Sequence, residues 1–279
     1  MLPKVFDKLI LAKPGFAAFI GLFSFFQSNA QGNLLVTPKR VVFEGSKRSE
    51  ELNLANIGKD SATYDISFIQ IRMKNDGTVE NITQPDSAQN FADKYLRFFP
   101  RTVTLAPNEA QTVKVQIKNS DQLTNGEYRS HLYFRAVPND GPLGENTGSK
   151  DSGISVKLIP IFGISMPVII RVGESNTSIT LSDLAYTETD KTPGLKLTFN
   201  RKGNMSVYGD LLVDYISSQG KTTRVGMAKG LAVYTPNAIR NFYLPLNNNI
   251  DYHSGKLHVV YADQSGKENK MAEEYLILH

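Results

Sequence analysis

Apolar and polar residues alternate along this chain in short runs. The first set is LLVTPKRVVFE, ELNLANIG, TYDISFIQIRM, TVTLAP, QTVKVQIK and YRSHLYFRAV. Period-two alternation over such lengths predicts β-strands with one face in a core. Each run is closed by a turn signal: Glu44-Gly45-Ser46, Asn75-Asp76-Gly77, Ala106-Pro107-Asn108 and Asn125-Gly126. Helical periodicity is scarce, and NFADKYLRFF, residues 90–99, reads as one short helical turn. A second set follows the polar turn Gly173-Glu174-Ser175-Asn176: SITLSDLAY, LKLTFN, GDLLVDYIS, RVGMAKGLAVY, IRNFYLPL, KLHVVYAD and EYLILH. The pattern predicts an all-β chain of two antiparallel sandwiches with a boundary near residue 172. Nothing recurs at a fixed period, which excludes a solenoid or propeller.

One run does not fit an ordinary strand. ISVKLIPIFGISMPVIIRV, residues 154–172, is far longer than the usual five or six residues. Every second residue is apolar: Ile154, Val156, Leu158, Pro160, Phe162, Ile164 and Met166. The intervening positions, Ser155, Lys157, Ile159, Ile161, Gly163, Ser165 and Pro167, are mixed. The segment before it, NDGPLGENTGSKDSG, is polar and glycine-rich, with little to bury. A long apolar strand with a free edge is an aggregation hazard unless a partner covers it.

The N-terminus changes the compartment expected. Lys4, Lys8 and Lys13 precede GFAAFIGLFSFF, and Ser28-Asn29-Ala30 offers small residues for cleavage. This is the layout of a secretory signal peptide over residues 1–30, with the mature chain starting near Gln31. The apolar run is shorter than the roughly 20 residues a spanning helix needs, so no stable membrane insertion is expected. Three lysines and Asp7 leave with the signal peptide. The formal net charge of +4 then falls to about +2, too small a surplus to suggest nucleic acid. There are no cysteines, so neither disulfides nor zinc–thiolate sites support the fold.

Candidate chemistry is sparse. His131, His253, His258 and His279 have no zinc-ligand spacing and read as strand-surface or terminal residues. There is no nucleophile elbow, no phosphate-cradling loop and no convincing carboxylate pair. The expectation is a protein that is not an enzyme, with no catalytic residue, metal or cofactor. In the second half, Arg201-Lys202-Gly203-Asn204 reads as a solvated hairpin turn with a basic tip. Tyr208 and Tyr234 read as packed aromatics.

Four blocks of the first half resemble one family. TPKRVVFEGSKRSEELNLANIGKDSATYDI is similar to the opening of the PapD-like periplasmic chaperones of the chaperone–usher pathway. FFPRTVTLAPNEAQTVKVQI, GEYRSHLYFRAVP and ISMPVIIR resemble their next block, their sixth strand and the end of their seventh. The match spans roughly residues 34–172, and the rest resembles the family only as a strand-rich domain of similar size. The resemblance implies an N-terminal domain over 31–172 and a C-terminal domain over 173–279, both immunoglobulin-like sandwiches, in an L arrangement. It implies a periplasmic chaperone that lends its seventh strand to fimbrial or other surface-filament subunits and delivers them to an outer-membrane usher. Ile154, Val156 and Leu158 are then the leading donor-strand residues. Phe162 and Ile164 follow on the same face, nearer the interdomain corner.

The family also anchors the client's C-terminal carboxylate with an arginine on the first strand and a lysine on the seventh. Arg40, just before VVFEG, matches the arginine. The lysine position departs, because alignment on Pro167 places Phe162 there. The nearest candidate is Lys157, five residues earlier. The rival expectation, a two-domain structural or adhesive surface protein, fits the same leader and sandwiches. A surface protein has no reason to keep the long strand unpaired.

Overall fold

The computed structural model describes residues 33–138, 161–264 and 269–279. These described residues cluster as one compact unit. Among the described residues the first half holds eleven strands: β1 (Leu34–Thr37), β2 (Val41–Phe43), β3 (Ser49–Asn56), β4 (Ala62–Ile69), β5 (Ile71–Met73), β6 (Val79–Asn81), β7 (Leu96–Phe99), β8 (Thr102–Leu105), β9 (Ala110–Ile117), β10 (Gly126–Val137) and β11 (Gly163–Val172). One sheet has the order β1-β3-β9-β7 and the facing sheet β2-β11-β10-β4-β8, while β5 and β6 form a separate hairpin. The helical turn expected in residues 90–99 is a single 3₁₀ turn, Asp93–Tyr95, leading straight into β7.

Alternation places the core between the sheets. Leu34, Val36, Leu52, Leu54, Val113 and Val115 point in from one sheet. Val41, Phe43, Ile66, Leu132, Phe134, Met166, Val168 and Ile170 point in from the other. Asn56, at the end of β3, is buried yet fully used. Its amide donates to Leu105 O (3.0 Å) and Asp60 O (2.8 Å) and accepts from Gly58 N–H (2.9 Å). A buried amide persists only when satisfied in this way; here it ties the β3–β4 turn to β8.

The opening run, expected as one strand, is divided. β1 pairs with β3 in one sheet, and β2 pairs in parallel with β11 in the other. Pro38 lies between them and carries no N–H for either ladder. The chain therefore crosses from one sheet to the other there, and Arg40 sits just after the crossing.

The second sandwich has seven strands: β12 (Ser178–Thr189), β13 (Thr192–Lys202), β14 (Val207–Ile216), β15 (Thr222–Val233), β16 (Ile239–Pro245), β17 (Lys256–Ala262) and β18 (Lys270–Ile277). Its sheets run β12-β13-β16 and β15-β14-β17-β18 around Leu195, Leu197, Phe199, Leu211, Val213, Leu257, Val259 and Tyr261. The turn after β13 is solvated at its tip but not at Arg201. Arg201 is buried and donates to Asn237 O, Gly203 O and Met205 O at 2.8–2.9 Å. Its guanidinium satisfies several main-chain carbonyls, while Lys202 and Gly203 face water.

The hairpin β5–β6 joins the two sandwiches. Met73 is buried with Ile169 of the first sandwich and Ala232 and Tyr234 of the second. Asn237 Nδ2 donates to Met73 O (2.8 Å), and Asn241 N–H donates to Asn75 O (2.6 Å). A hairpin of three-residue strands is marginal alone. Ion pairs of Arg72 with Glu80 and Asp86, and of Lys74 with Glu80, hold its shape.

Candidate interdomain cleft

β10 and β11 carry two kinds of face. Leu132, Phe134, Met166 and Val168 fill the first core. Residues of the opposite parity, Glu127, Arg129, His131 and Ile169, are buried as well. They face the second sandwich, which covers what would otherwise be an exposed sheet surface.

Glu127 is the centre of this junction, with its side chain wholly buried. Its carboxylate accepts from Ser206 N–H (2.9 Å) and Ser206 Oγ (2.7 Å), from Thr235 Oγ1 (3.2 Å) and from Arg171 Nε (3.3 Å). Arg171 Nη2 donates in turn to Ser206 O (2.7 Å). Every buried charge needs such partners. Here they come from both sandwiches, so the pairing also fixes how the two meet.

Arg129 lies deeper, with its guanidinium 4.3 Å from the Tyr234 ring centroid and bonds to Ile71 O (3.4 Å) and Thr235 O (3.2 Å). Burial pushes its pKa down, opposed by Tyr234 and Glu127. His131 is not a strand-surface residue: it is 3% exposed, edge-on to Tyr234, and its Nδ1 has no partner. Burial, reinforced by Arg129, depresses its pKa to about 3.

A neutral imidazole in the folded state and an ordinary one in the unfolded state make stability depend on pH. Between about 6.5 and 3 the unfolded chain binds the extra proton, so stability falls as pH drops through that window. The slope contributed is at most about 1.4 kcal/mol per pH unit. Urea unfolding from pH 7 to pH 4 is therefore expected to show a flatter profile for His131→Gln than for the wild type. Parallel profiles would remove His131 as the source.

Beside this buried junction the two sandwiches leave a cavity of about 460 Å³. Arg40, Glu44, Arg171, Thr177, Ser206 and Tyr208 are among its lining residues. Arg40 comes from the connection just before β2 and Tyr208 from β14. The Arg40 guanidinium lies 4.1 Å from the Tyr208 ring centroid, and its Nε and Nη1 are buried without a hydrogen-bond partner. Burial lowers the Arg40 pKa, opposed by Tyr234 and reinforced by the charge of Arg171. Arg171 Nη1 has Glu44 at 3.9 Å, a side chain that is mostly exposed. The cleft thus holds two guanidinium groups, one of them with donors unused.

The strand edge beside it is also incomplete. β10 pairs with β11 along Gly163–Val172, but β2 covers the other edge only at Val168–Ile170. Among the described residues, none pairs with residues 163–167 on that edge. Ile164 is half-buried against the first core, whereas Ile161 and Phe162 stand 44% and 39% exposed.

Of the residues singled out in the sequence, Arg40, Phe162 and Ile164 have these places. Ile154, Val156, Lys157 and Leu158 lie outside the described residues. Arg171 was not singled out, although it is the cation that β11 contributes to the same cavity as Arg40. Its signal was its pairing register with Glu127 across β10 and β11, which only becomes informative once the strands are aligned. No helix of the described residues is long and apolar enough to cross a membrane.

A model of Fn3-like domains matches residues 43–135, which is most of the first sandwich. No curated protein sequence matches the chain. Similar solved structures include the Pseudomonas aeruginosa CupB2 chaperone, at 13% identity over 88% of this chain and 99% of that one, with a TM-score of 0.41. The class 5 fimbriae chaperone CfaA is similar at 14% identity, 88% and 99% coverage and a TM-score of 0.45. A structure of Salmonella enterica SafA pilin with the SafB chaperone is similar at 16% identity, 88% and 96% coverage and a TM-score of 0.41.

Proposed function

We propose that this protein is an exported, periplasmic, non-enzymatic chaperone that captures surface-filament subunits by lending them its β11 edge. The observation that carries this reading is the edge of β11 that no other described residue pairs with from residue 163 to 167. In sequence that edge continues an alternating apolar run, residues 154–172, far longer than an ordinary strand. A client lacking one strand of an immunoglobulin-like fold supplies what the edge lacks: a main-chain hydrogen-bond partner and pockets for alternate side chains. The sequence resemblance to PapD-like chaperones points the same way.

The cleft adds an anchor. A buried guanidinium with free donors is costly until an anion meets it. A planar guanidinium suits a carboxylate, which can accept two parallel bonds. The C-terminal carboxylate of a client chain is the anion this reading assigns to Arg40, with Arg171 as the second cation in place of the family's lysine. Delivery to an outer-membrane usher is part of the same proposal.

The test is recovery of the protein from the periplasm with its bound partner, identified by mass spectrometry. Arg40→Ala is expected to lower client affinity at least about tenfold while the protein stays folded, because a hydrogen bond to a charged group contributes about 1.5–3 kcal/mol. A synthetic peptide of residues 154–168 should compete with the intact protein for the client. Absence from the periplasmic fraction, or capture unaffected by both the substitution and the peptide, would overturn the proposal.

A further inference from the structure

The second sandwich contributes Tyr208 to the cleft, and the contact it makes is with the very group that the first sandwich leaves unsatisfied. Arg40 belongs to the connection between β1 and β2, a segment with no ladder bonds of its own to hold a long side chain. An arginine side chain has four rotatable bonds before its planar head, and its donors point outward in the plane of that head. Whatever sets the plane sets the direction of the donors. The Tyr208 ring does so, with Arg40 Cζ 4.1 Å from its centroid. The attraction of the cation to the ring face is worth about 0.5–2 kcal/mol, more where water is excluded. It satisfies the charge in part and leaves the N–H groups free, as Nε and Nη1 are.

The local chain is shaped to keep the ring there. Tyr208 stands opposite Ala232 across β14 and β15. It packs against the interdomain cluster of Met73, Ile169, Ala232 and Tyr234. At Gly230 the backbone turns left-handed, with φ of +70°, and a Cβ there would come within 2.8 Å of the Tyr208 hydroxyl. The Gly230 N–H is tied to Asp210 Oδ1 (2.8 Å), which holds this turn in β15. The absent side chain at Gly230 is the space that the phenol end of Tyr208 occupies.

We propose that Tyr208 is a positioning residue of the cleft: its ring fixes the plane of the Arg40 guanidinium and so aims the unused donors at an incoming carboxylate. The choice of a carboxylate rests on the function proposed above, whereas the positioning does not. This gives the second sandwich a definite task, to orient a binding group carried by the first.

The test uses the free, full-length protein. The Arg40 Nε–Hε resonance, assigned by its loss in Arg40→Lys, is expected to lie upfield because the proton sits over an aromatic face. Tyr208→Phe keeps the ring and should keep the shift. Tyr208→Leu keeps apolar bulk but no ring and should abolish it while the protein stays folded by circular dichroism. In a titration with N-acetylglycine as carboxylate probe, Tyr208→Leu should raise Kd about tenfold and Tyr208→Phe less than twofold. The amide of N-acetylglycine should not bind. An unshifted Arg40 signal in the wild type, or a shift that survives in Tyr208→Leu, would overturn the positioning. A shifted signal with no response of the wild type to N-acetylglycine would overturn the carboxylate as ligand and leave the positioning standing.

Discussion

Replacing Glu127 with leucine is expected to destabilise the protein by about 3–5 kcal/mol, the cost of stranding one member of a buried charge pair. Arg171 would lose its carboxylate, and Ser206 N–H, Ser206 Oγ and Thr235 Oγ1 would lose their acceptor at the same stroke. Because those partners come from both sandwiches, the damage falls on the junction. Urea unfolding followed by circular dichroism should show the lower stability and a separation of the transition into two steps, one for each sandwich. Glu51→Leu, on an exposed position of β3, should change stability by no more than about 0.5 kcal/mol. Adding Arg171→Leu to Glu127→Leu should recover part of the loss, since the stranded cation is then gone. A loss below about 1 kcal/mol for Glu127→Leu would show that the pairing does not hold the junction.

The largest functional effect is expected from Val156→Asp. Met166, Val168 and Ile170 of β11 face the first core. Counting back in twos from Met166 through Ile164 and Phe162 reaches Leu158, Val156 and Ile154. If a client takes that face into its open core, a carboxylate at residue 156 enters a groove that cannot solvate it. The several kcal/mol of desolvation amount to at least about a hundredfold in affinity. Ser155→Asp falls on the opposite face and should weaken capture far less. The free protein should melt unchanged with either substitution. Equal weakening by the two aspartates would mean that the alternation is misread, and unfolding by Val156→Asp alone would make Val156 ordinary core.

Much of the fold was legible in local pattern. LNLAN, TVKVQI and LKLTF each bury the residues their alternation predicted: Leu52 and Leu54, Val113 and Val115, Leu195 and Leu197. A strand's two faces are decided by nearest neighbours along the chain, so period two is enough to assign them. The apolar excess of the ISMPVIIRV stretch was equally visible, as was Arg40 by its place before VVFEG.

What the pattern could not convey was the second use of a polar face. Glu127, Arg129 and His131 alternate with core residues along β10, and His131 read from sequence as a strand-surface residue. All three are buried because another sandwich lies on them. Arg201 was misread because a remote segment of its own sandwich, near residue 237, closes over it. Arg40 and Tyr208 are far apart in sequence and touch through the same junction. Amphipathic alternation, set by bonds between neighbours, assigned strands, faces and cores from the sequence alone. The cleft, its charge pairing and the platform under Arg40 arise from contacts between residues remote in the chain, and only the docking of one sandwich on the other decided them.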